Sequence, residues 1–250
     1  MIRIQDAGIV CPVCKRPDWC VIAEDGAACI CSRVSEGSVK KAGDGGWLHV
    51  LDPDFKPEPP NIPDKPRVNW GNWFKTFHRE FYTDPEETHM VLKHHQLDPV
   101  SVAAFSVGLM NRELFVPMRS PAGKIVGVQK RLWDSSKRFV KGSTMGLFMP
   151  TFPFGSGLVV CEGWTDTVTV VSLGYAAVGR VNCSGGIDDA VAICKSRGVK
   201  YVLIVSDNDE VGRAGASELQ AALSEIKRRS AIWYPPKDHK DIRSWVQWGG

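Results

Sequence analysis

Two stretches of similar design decide the fold: LVVCEGWTD at residues 158–166 and VLIVSDNDEVG at residues 202–212. Each opens with an apolar run of strand length, ends in acidic residues and continues into a helical pattern. The surrounding chain extends this alternation, with strands predicted at 158–161, 176–178, 201–205 and 231–233, and helices at 165–173, 187–195 and 210–228. Alternation of this kind predicts a parallel sheet covered by helices.

The acidic residues Glu162, Asp207 and Asp209 fall at the carboxyl ends of the two strongest strands. Because loops at those ends form the functional crevice of an open parallel sheet, we expect the three carboxylates to converge. Carboxylates at close range repel unless a divalent cation lies between them, and oxygen ligands suit magnesium or manganese. Alternatively, strand-end acids only cap the following helices. Two such motifs on consecutive strong strands favour the metal site.

Together, EGxxD at 162–166 and DxDxxG at 207–212 resemble the Toprim signature shared by bacterial-type primases, topoisomerases and some nucleases. The resemblance implies that Glu162 is a general acid/base and that Asp207 and Asp209 hold a catalytic divalent metal. Glu162 is also a candidate metal ligand.

The tail KDHKDIRSW at 237–245 is similar to the acidic segment that closes the primase Toprim domain. By that likeness Asp238 is an additional candidate ligand for magnesium.

A basic, β-rich segment precedes these motifs. The turn sequence SPAG at 120–123 separates two short β-rich runs, which predicts hairpins. Between residues 119 and 141 seven basic residues face one acid, Asp134, a local excess of +6 against +3 for the whole chain. Such a strip beside a metal site would hold template phosphates and triphosphates, unless it is only a solvated basic face. The candidate nucleotide- and DNA-binding residues are Arg119, Lys130, Arg131, Lys137, Arg138 and Lys141.

The runs RELFVPMR, GKIVGVQKR and KRFVKGS of this segment, at 112–119, 123–131 and 137–143, resemble the amino-terminal half of the primase polymerase domain. Helices are predicted before it, at 85–96 and 99–105.

Five of the eight cysteines lie within the first 31 residues, a cluster that indicates metal rather than disulfides in a reducing compartment. Cys11 and Cys14 have the spacing of a zinc knuckle. If Asp25-Gly26 closes a hairpin, cross-strand partners have numbers that sum to about 51, which places Cys20 opposite Cys31. We therefore predict a structural zinc held by Cys11, Cys14, Cys20 and Cys31.

Cys29 is the alternative fourth ligand, less favoured because the same register pairs it with Ile22 rather than with a cysteine, and His49 is a more distant candidate. This set departs from the two well-separated knuckles common in primases. The other three cysteines, Cys161, Cys183 and Cys194, are predicted to be buried apolar residues.

The predicted fold class is α+β: a zinc β-ribbon, a basic α+β subdomain and an α/β Toprim domain. Six prolines in sixteen residues predict an extended linker between the first two, or else an ordered strap across a neighbouring domain. The predicted divisions are 1–51 for the ribbon, 52–67 for the linker, 68–156 for the basic subdomain and 157–250 for the Toprim domain.

Composition excludes few functions. Apolar residues make up 43% and charged residues 24%, as in ordinary globular proteins. The chain opens without an apolar signal segment and has no stretch of about 18 apolar residues, so a cytoplasmic protein is expected.

The order ribbon, linker, basic segment and Toprim domain is that of primases, which implies an enzyme that makes RNA primers on single-stranded DNA from nucleoside triphosphates. No GxxxxGK[ST] sequence occurs, so we expect a helicase to act in trans. The alternatives are a Toprim nuclease and a non-catalytic zinc module that binds DNA. A topoisomerase is disfavoured, because none of the four tyrosines has an evident catalytic setting.

Overall fold

The structure is a computed structural model that describes residues 1–43, 46–51, 68–183 and 185–249. The described residues form two compact units, one before residue 52 and one from Val68 onward. The predicted linker at 52–67 lies outside the described residues.

The first unit is a small antiparallel sheet with strand order β1-β2-β3-β5-β4. Its elements are β1 (Ile2–Arg3), α1 (Ile4–Ala7), β2 (Val21–Ile22), β3 (Ala28–Cys31), β4 (Lys40–Lys41) and β5 (Trp47–Val50). Strands β2 and β3 pair Val21 with Ile30 and Ile22 with Cys29, the register predicted from the Asp25-Gly26 turn. The cysteines fill the interior of this ribbon, because so short a segment has few other apolar side chains to bury.

The second unit begins with three helices and an antiparallel sheet of order β6-β7-β8-β9. These elements are α2 (Trp70–Thr83), α3 (Pro85–His94), α4 (Pro99–Ala103), β6 (Gly108–Met110), β7 (Glu113–Arg119), β8 (Ile125–Arg131) and β9 (Lys137–Phe139). Asp84 and Asp98 cap α3 and α4, and a proline follows each cap at the first helical position. The sequence predicted α3, α4 and the hairpins but not α2.

A parallel sheet of order β11-β10-β12-β13 completes this unit. Its elements are β10 (Gly157–Glu162), α5 (Gly163–Ser172), β11 (Ala177–Arg180), α6 (Ile187–Ser196), β12 (Tyr201–Val205), α7 (Glu210–Glu225), β13 (Arg229–Trp233) and α8 (Ile242–Gln247). Helices α6 and α7 cover one face of the sheet and α5 and α8 the other. The predicted parallel sheet between helices is confirmed.

Some boundaries differ from the prediction. Helix α7 ends at Glu225 rather than 228, because Lys227 adopts a left-handed conformation with φ of 57°. Cys161 and Cys194 are buried as expected, but Cys183 is half-buried in the loop after β11, so the prediction for it was wrong. The predicted boundary between 156 and 157 stays a prediction, since both parts belong to one compact unit.

The second unit has a continuous core that joins its two sheets. Trp164 and Val168 of α5 pack with residues of α3, α4, β6 and β7. Bridges also run from Arg119 to Leu147 and from Phe148 to Gly179. The basic strands are thereby held against the parallel sheet. None of the helices in the described part of the chain is long and apolar enough to span a membrane.

Candidate functional site

Glu162 lies where β10 ends and α5 begins, at the N-cap position of that helix. The chain turns at Gly163 with φ of +78°, which a residue with a side chain rarely adopts. A Cβ atom at Gly163 would also lie 3.6 Å from Asp166 Oδ2 and 3.7 Å from Lys137 Nζ. The turn therefore places the backbone after Glu162 between an acidic and a basic group.

Asp207 and Asp209 follow the neighbouring strand β12. The backbone N–H of Asp207 donates to Glu162 Oε2 at 3.2 Å, which ties the two strand ends together. The Asp209 side chain accepts a hydrogen bond of 2.8 Å from the Gly212 N–H and caps α7. A Cβ at Gly212 would lie 2.7 Å from Asp207 O, so only glycine permits this tight approach. Asp209 thus caps a helix, which the sequence offered as the alternative to metal binding. Its second carboxylate oxygen remains able to bind another ligand.

The carboxylates of this site repel one another. Burial, and then the charges of Glu162 and Asp241, raise the pKa of Asp207 to about 6, although Lys240 partly offsets them. Lys240 Nζ lies 3.9 Å from Asp207 Oδ2. Carboxylates that repel one another in this way are the arrangement that a divalent cation relieves.

The pKa of Asp166 is raised further than that of Asp207. Burial, and then the charges of Asp241 and Asp207, raise the pKa of Asp166 to about 8, against lowering by Lys137 and Arg243. Its Oδ1 atom is buried without a hydrogen-bond partner, as is Oε1 of Glu162. Both buried oxygens are therefore left able to accept a hydrogen bond.

The sequence missed Asp241. This residue caps α8, accepting a hydrogen bond of 2.7 Å from the Ser244 N–H, and its charge acts on both Asp166 and Asp207. The Asp-x-x-Ser spacing of a capping box was the available signal. Asp238, the residue singled out by resemblance, is exposed in the preceding loop. That loop is bonded to the Asp207–Asp209 loop, since the Asn208 N–H donates to Lys240 O at 2.7 Å.

The basic residues divide between two faces of the antiparallel sheet. Arg131 pairs with Lys137 across β8 and β9, and Lys130 pairs with Arg138 one step along. Because successive side chains point to opposite faces, Arg131 and Lys137 share one face and Lys130 and Arg138 the other. Lys137 is the cation beside Gly163, so the first face is the one directed at the carboxylates.

Arg131 is buried, at 6% exposure, and burial and then the charge of Arg243 lower its pKa. Its Nε donates towards His95 Nδ1 at 3.4 Å, and Arg243 Nη2 donates to His95 O at 2.5 Å. Burial, and then the charge of Arg131, lower the pKa of His95 to about 4, so this histidine is neutral near pH 7. Arg243, which the sequence did not single out, thus joins Arg131 and Lys137 as a third cation near Asp166.

The remaining basic candidates are not gathered at the carboxylates. Lys130 forms a 2.6 Å ion pair with Glu113, and Arg138 and Lys141 are exposed. Arg119 pairs with Ile125 at the opposite end of the β7–β8 ladder from Arg131, roughly 20 Å away along β8 at strand spacing. There it lines a separate cavity of about 320 Å³.

The cysteine cluster has the geometry of a metal site. The Sγ atoms of Cys11, Cys14, Cys20 and Cys31 all lie within 4.8 Å of one another, the only such group of three or more candidate ligands among the described residues. The N–H groups of Cys14 and Val34 donate to Cys11 and Cys31 Sγ, each at 3.4 Å. Four thiolates at this spacing fit a tetrahedral ion.

Cys29 lies beside this quartet rather than within it. Its Sγ is 3.6 Å from Cys11 Sγ, but the close group does not include it. His49 is also occupied elsewhere, since its Nε2 hydrogen-bonds Val34 O at 2.8 Å.

The chain resembles known proteins both in sequence and in fold. Residues 159–245 match the Toprim-like family. Three solved structures share the fold. The DnaG primase catalytic domain bound to single-stranded DNA has a TM-score of 0.58 at 15% identity, covering 72% of this chain and 73% of that one. The DnaG catalytic core has a TM-score of 0.54 at 15% identity, covering 68% and 72%. The zinc-binding and RNA polymerase domains of the Aquifex aeolicus primase have a TM-score of 0.53 at 15% identity, covering 69% and 55%. No curated protein matches the sequence.

The residues that match the Toprim-like family, 159–245, thus carry their acidic side chains at the carboxyl ends of a parallel sheet. Joined to the antiparallel sheet before it, this domain has the fold of a bacterial-type primase catalytic core.

Proposed function

We propose that this protein is a DNA primase, a nucleotidyltransferase that synthesises short RNA primers on single-stranded DNA. The observation that carries the proposal is the junction of Glu162 and Asp207 through a backbone hydrogen bond, at the end of a parallel sheet in a primase fold. Asp209 follows on the same loop, and Lys137 faces the same turn.

In the proposed reaction the 3′-hydroxyl of one nucleotide attacks the α-phosphate of the next, and pyrophosphate leaves. Glu162 accepts the hydroxyl proton or binds metal, since its Oε1 is free of hydrogen bonds within the described residues. Asp207 and Asp209 would hold magnesium or manganese, which when bound stabilises the charge on the reacting phosphate. Asp238, exposed in the loop bonded to theirs, is a further candidate ligand.

The cations take separate roles in this proposal. Arg131, Lys137 and Arg243 surround Asp166 and are suited to the triphosphate. Lys130, Arg138 and Lys141 would contact template phosphates from the other parts of the sheet. Arg119, at the other end of the β7–β8 ladder, would contact a template phosphate further along the strand.

We further propose that Cys11, Cys14, Cys20 and Cys31 bind a structural zinc. The ion would stabilise a unit that has a very small apolar core of its own. We also propose that a replicative helicase acts in trans, and that the protein works in the cytoplasm of a bacterial cell whose chromosome, plasmid or phage carries the gene.

The test follows the two products that a Toprim site could yield. The protein is incubated with magnesium, end-labelled single-stranded DNA and, in parallel, unlabelled DNA with α-labelled ribonucleotides. A primase yields new labelled RNA that grows with time and leaves the DNA intact. Shortened DNA with no RNA product would instead indicate a nuclease, and neither product would indicate a binding module.

A further inference from the structure

We propose that Arg180 is the positioning residue of the site: it holds the Glu162 carboxylate in its working orientation. This inference rests on the proposed function of Glu162. It concerns a residue that neither the acidic motifs nor the basic strip contain.

The two residues are neighbours in the parallel sheet. Strands β10 and β11 pair in parallel with Glu162 directly beside Arg180, so both side chains leave the sheet at the same level. Arg180 Nη2 lies 4.0 Å from Glu162 Oε1. The other carboxylate oxygen, Oε2, accepts the hydrogen bond from the Asp207 N–H. Glu162 is thus held from both sides, by β11 through Arg180 and by β12 through Asp207.

Burial makes this contact unusual. The side chains of Arg180 and Glu162 are 1% and 10% exposed, and Arg180 is the largest fully buried residue of the described chain. A buried guanidinium is costly unless an anion compensates it. Glu162 is the first of the charges that offset the burial of Arg180, ahead of Cys183 and Glu218. The arginine and the glutamate therefore depend on each other.

Arg180 is itself anchored. Its Nη1 donates to Cys183 O at 2.7 Å, which fixes the guanidinium against the loop that leads to α6. Cys183 cannot shift easily, because its carbonyl packs so closely on Gly215 that a Cβ there would lie 2.2 Å from it. The packing of α7 thus fixes the position of Arg180, and Arg180 in turn fixes the orientation of the Glu162 carboxylate.

The kinetic test compares Arg180→Gln and Arg180→Lys with the wild type in primer synthesis. Arg180→Gln is expected to lower kcat about 100-fold, because a small misplacement of a catalytic group has that effect. The KM for nucleotides should change less than about threefold, since the triphosphate is held elsewhere. Arg180→Lys should recover part of the lost kcat. An unchanged kcat in Arg180→Gln, or a lysine variant no better than glutamine, overturns the proposal.

Arg228→Gln is the matched control. Arg228 likewise donates to a backbone carbonyl, Ile226 O at 3.4 Å, but it is only half-buried and lies just before β13 at the amino end of the sheet. The kcat of Arg228→Gln should equal that of the wild type. An equal loss in Arg228→Gln and Arg180→Gln would mean that any buried arginine matters only for folding, which contradicts a positioning role.

A second measurement does not depend on primer synthesis. Urea unfolding midpoints are compared for Arg180→Gln, Glu162→Gln and the double variant. If the pair interacts, the double variant loses clearly less than the sum of the two single losses. Additive losses overturn the contact itself. If the wild type makes no primers but the stability losses of the variants are coupled, the proposed function is refuted and the Glu162–Arg180 contact stands.

Discussion

The backbone N–H of Asp207 donates a hydrogen bond of 3.2 Å to Glu162 Oε2 across 45 residues of sequence. The bond exists because β10 and β12 are adjacent and parallel, with Cys161 beside Val205, so that the next residues of both strands emerge together. A main-chain donor cannot be removed by changing the Asp207 side chain. Substitutions at Asp207 therefore remove a carboxylate while leaving Glu162 in place.

Asp209 allows capping and metal binding to be separated. The Asp209→Asn side chain should still accept the hydrogen bond from the Gly212 N–H, so the free energy of unfolding should stay within about 0.3 kcal/mol of the wild type. Asp209→Ala loses this cap, and its free energy of unfolding should fall by about 1 kcal/mol. Both variants should bind manganese more weakly, since both lose the carboxylate. Urea unfolding and manganese titration by electron paramagnetic resonance provide the two readings. Full manganese affinity in Asp209→Asn would contradict the assignment of Asp209 as a ligand.

Asp166 should make stability depend on pH. The pKa of Asp166 is raised to about 8 in the folded protein from 3.8. Between these values the folded protein holds a proton that the unfolded chain has released. This contribution to stability is complete below pH 3.8 and is lost as the pH rises through about 8. Relative to Asp166→Asn, the free energy of unfolding of the wild type should fall by roughly 1 kcal/mol per pH unit.

Chemical denaturation of both proteins from pH 5 to pH 7.5, without added magnesium, checks this dependence. Parallel pH profiles for the wild type and Asp166→Asn would show that Asp166 is ionised in the folded protein throughout this range, which contradicts a raised pKa.

Lys137 and Arg138 are adjacent in β9 but face opposite sides of the sheet. Lys137→Ala should lower kcat/KM for nucleotides about 10- to 100-fold, the value of one hydrogen bond to a charged group. Arg138→Ala should change it less than about threefold, because its side chain points away from Gly163. Steady-state kinetics on one template measures both. The reverse order of effects would place the triphosphate on the other face of the sheet.

Zinc content distinguishes the cysteines. Cys31→Ala should lose the bound zinc and destabilise the first unit, since Cys31 belongs to the close quartet. Cys29→Ala is the matched control, two residues away on the same strand, and should retain one zinc per chain. Elemental analysis of the purified proteins measures the content. Loss of zinc from Cys29→Ala with retention in Cys31→Ala would exchange their roles.

Local patterns predicted much of this fold. The apolar runs of β10 and β12 are long enough, and the helical patterns after them regular enough, to identify the parallel sheet. The turn at Asp25-Gly26 predicted the register of β2 and β3, and with it the proximity of Cys20 and Cys31, whose Sγ atoms are 4.0 Å apart. Each of these features depends on residues close in sequence.

The features that were missed depend on the order of strands and on burial. Arg180 reaches Glu162 only because β11 lies beside β10, and Asp241 reaches Asp207 only because α8 returns to the same end of the sheet. A count of basic residues also could not show that Arg131 is buried or that Arg119 lies at the far end of β7. Helix α2 follows the proline-rich stretch, and its one local signal was Asn69, whose side chain accepts a hydrogen bond of 3.1 Å from the Asn72 N–H at the start of the helix.

Asp207→Ala tests the central claim most directly. Wild type and variant are given the same pool of random single-stranded DNA templates, magnesium and labelled ribonucleotides, after matching their melting temperatures and zinc contents. The account predicts short RNA products from the wild type and a loss of at least about 100-fold in the variant, because a ligand of the catalytic metal is gone. Primer synthesis by Asp207→Ala at the wild-type rate, or no RNA from the wild type on any template, would contradict it.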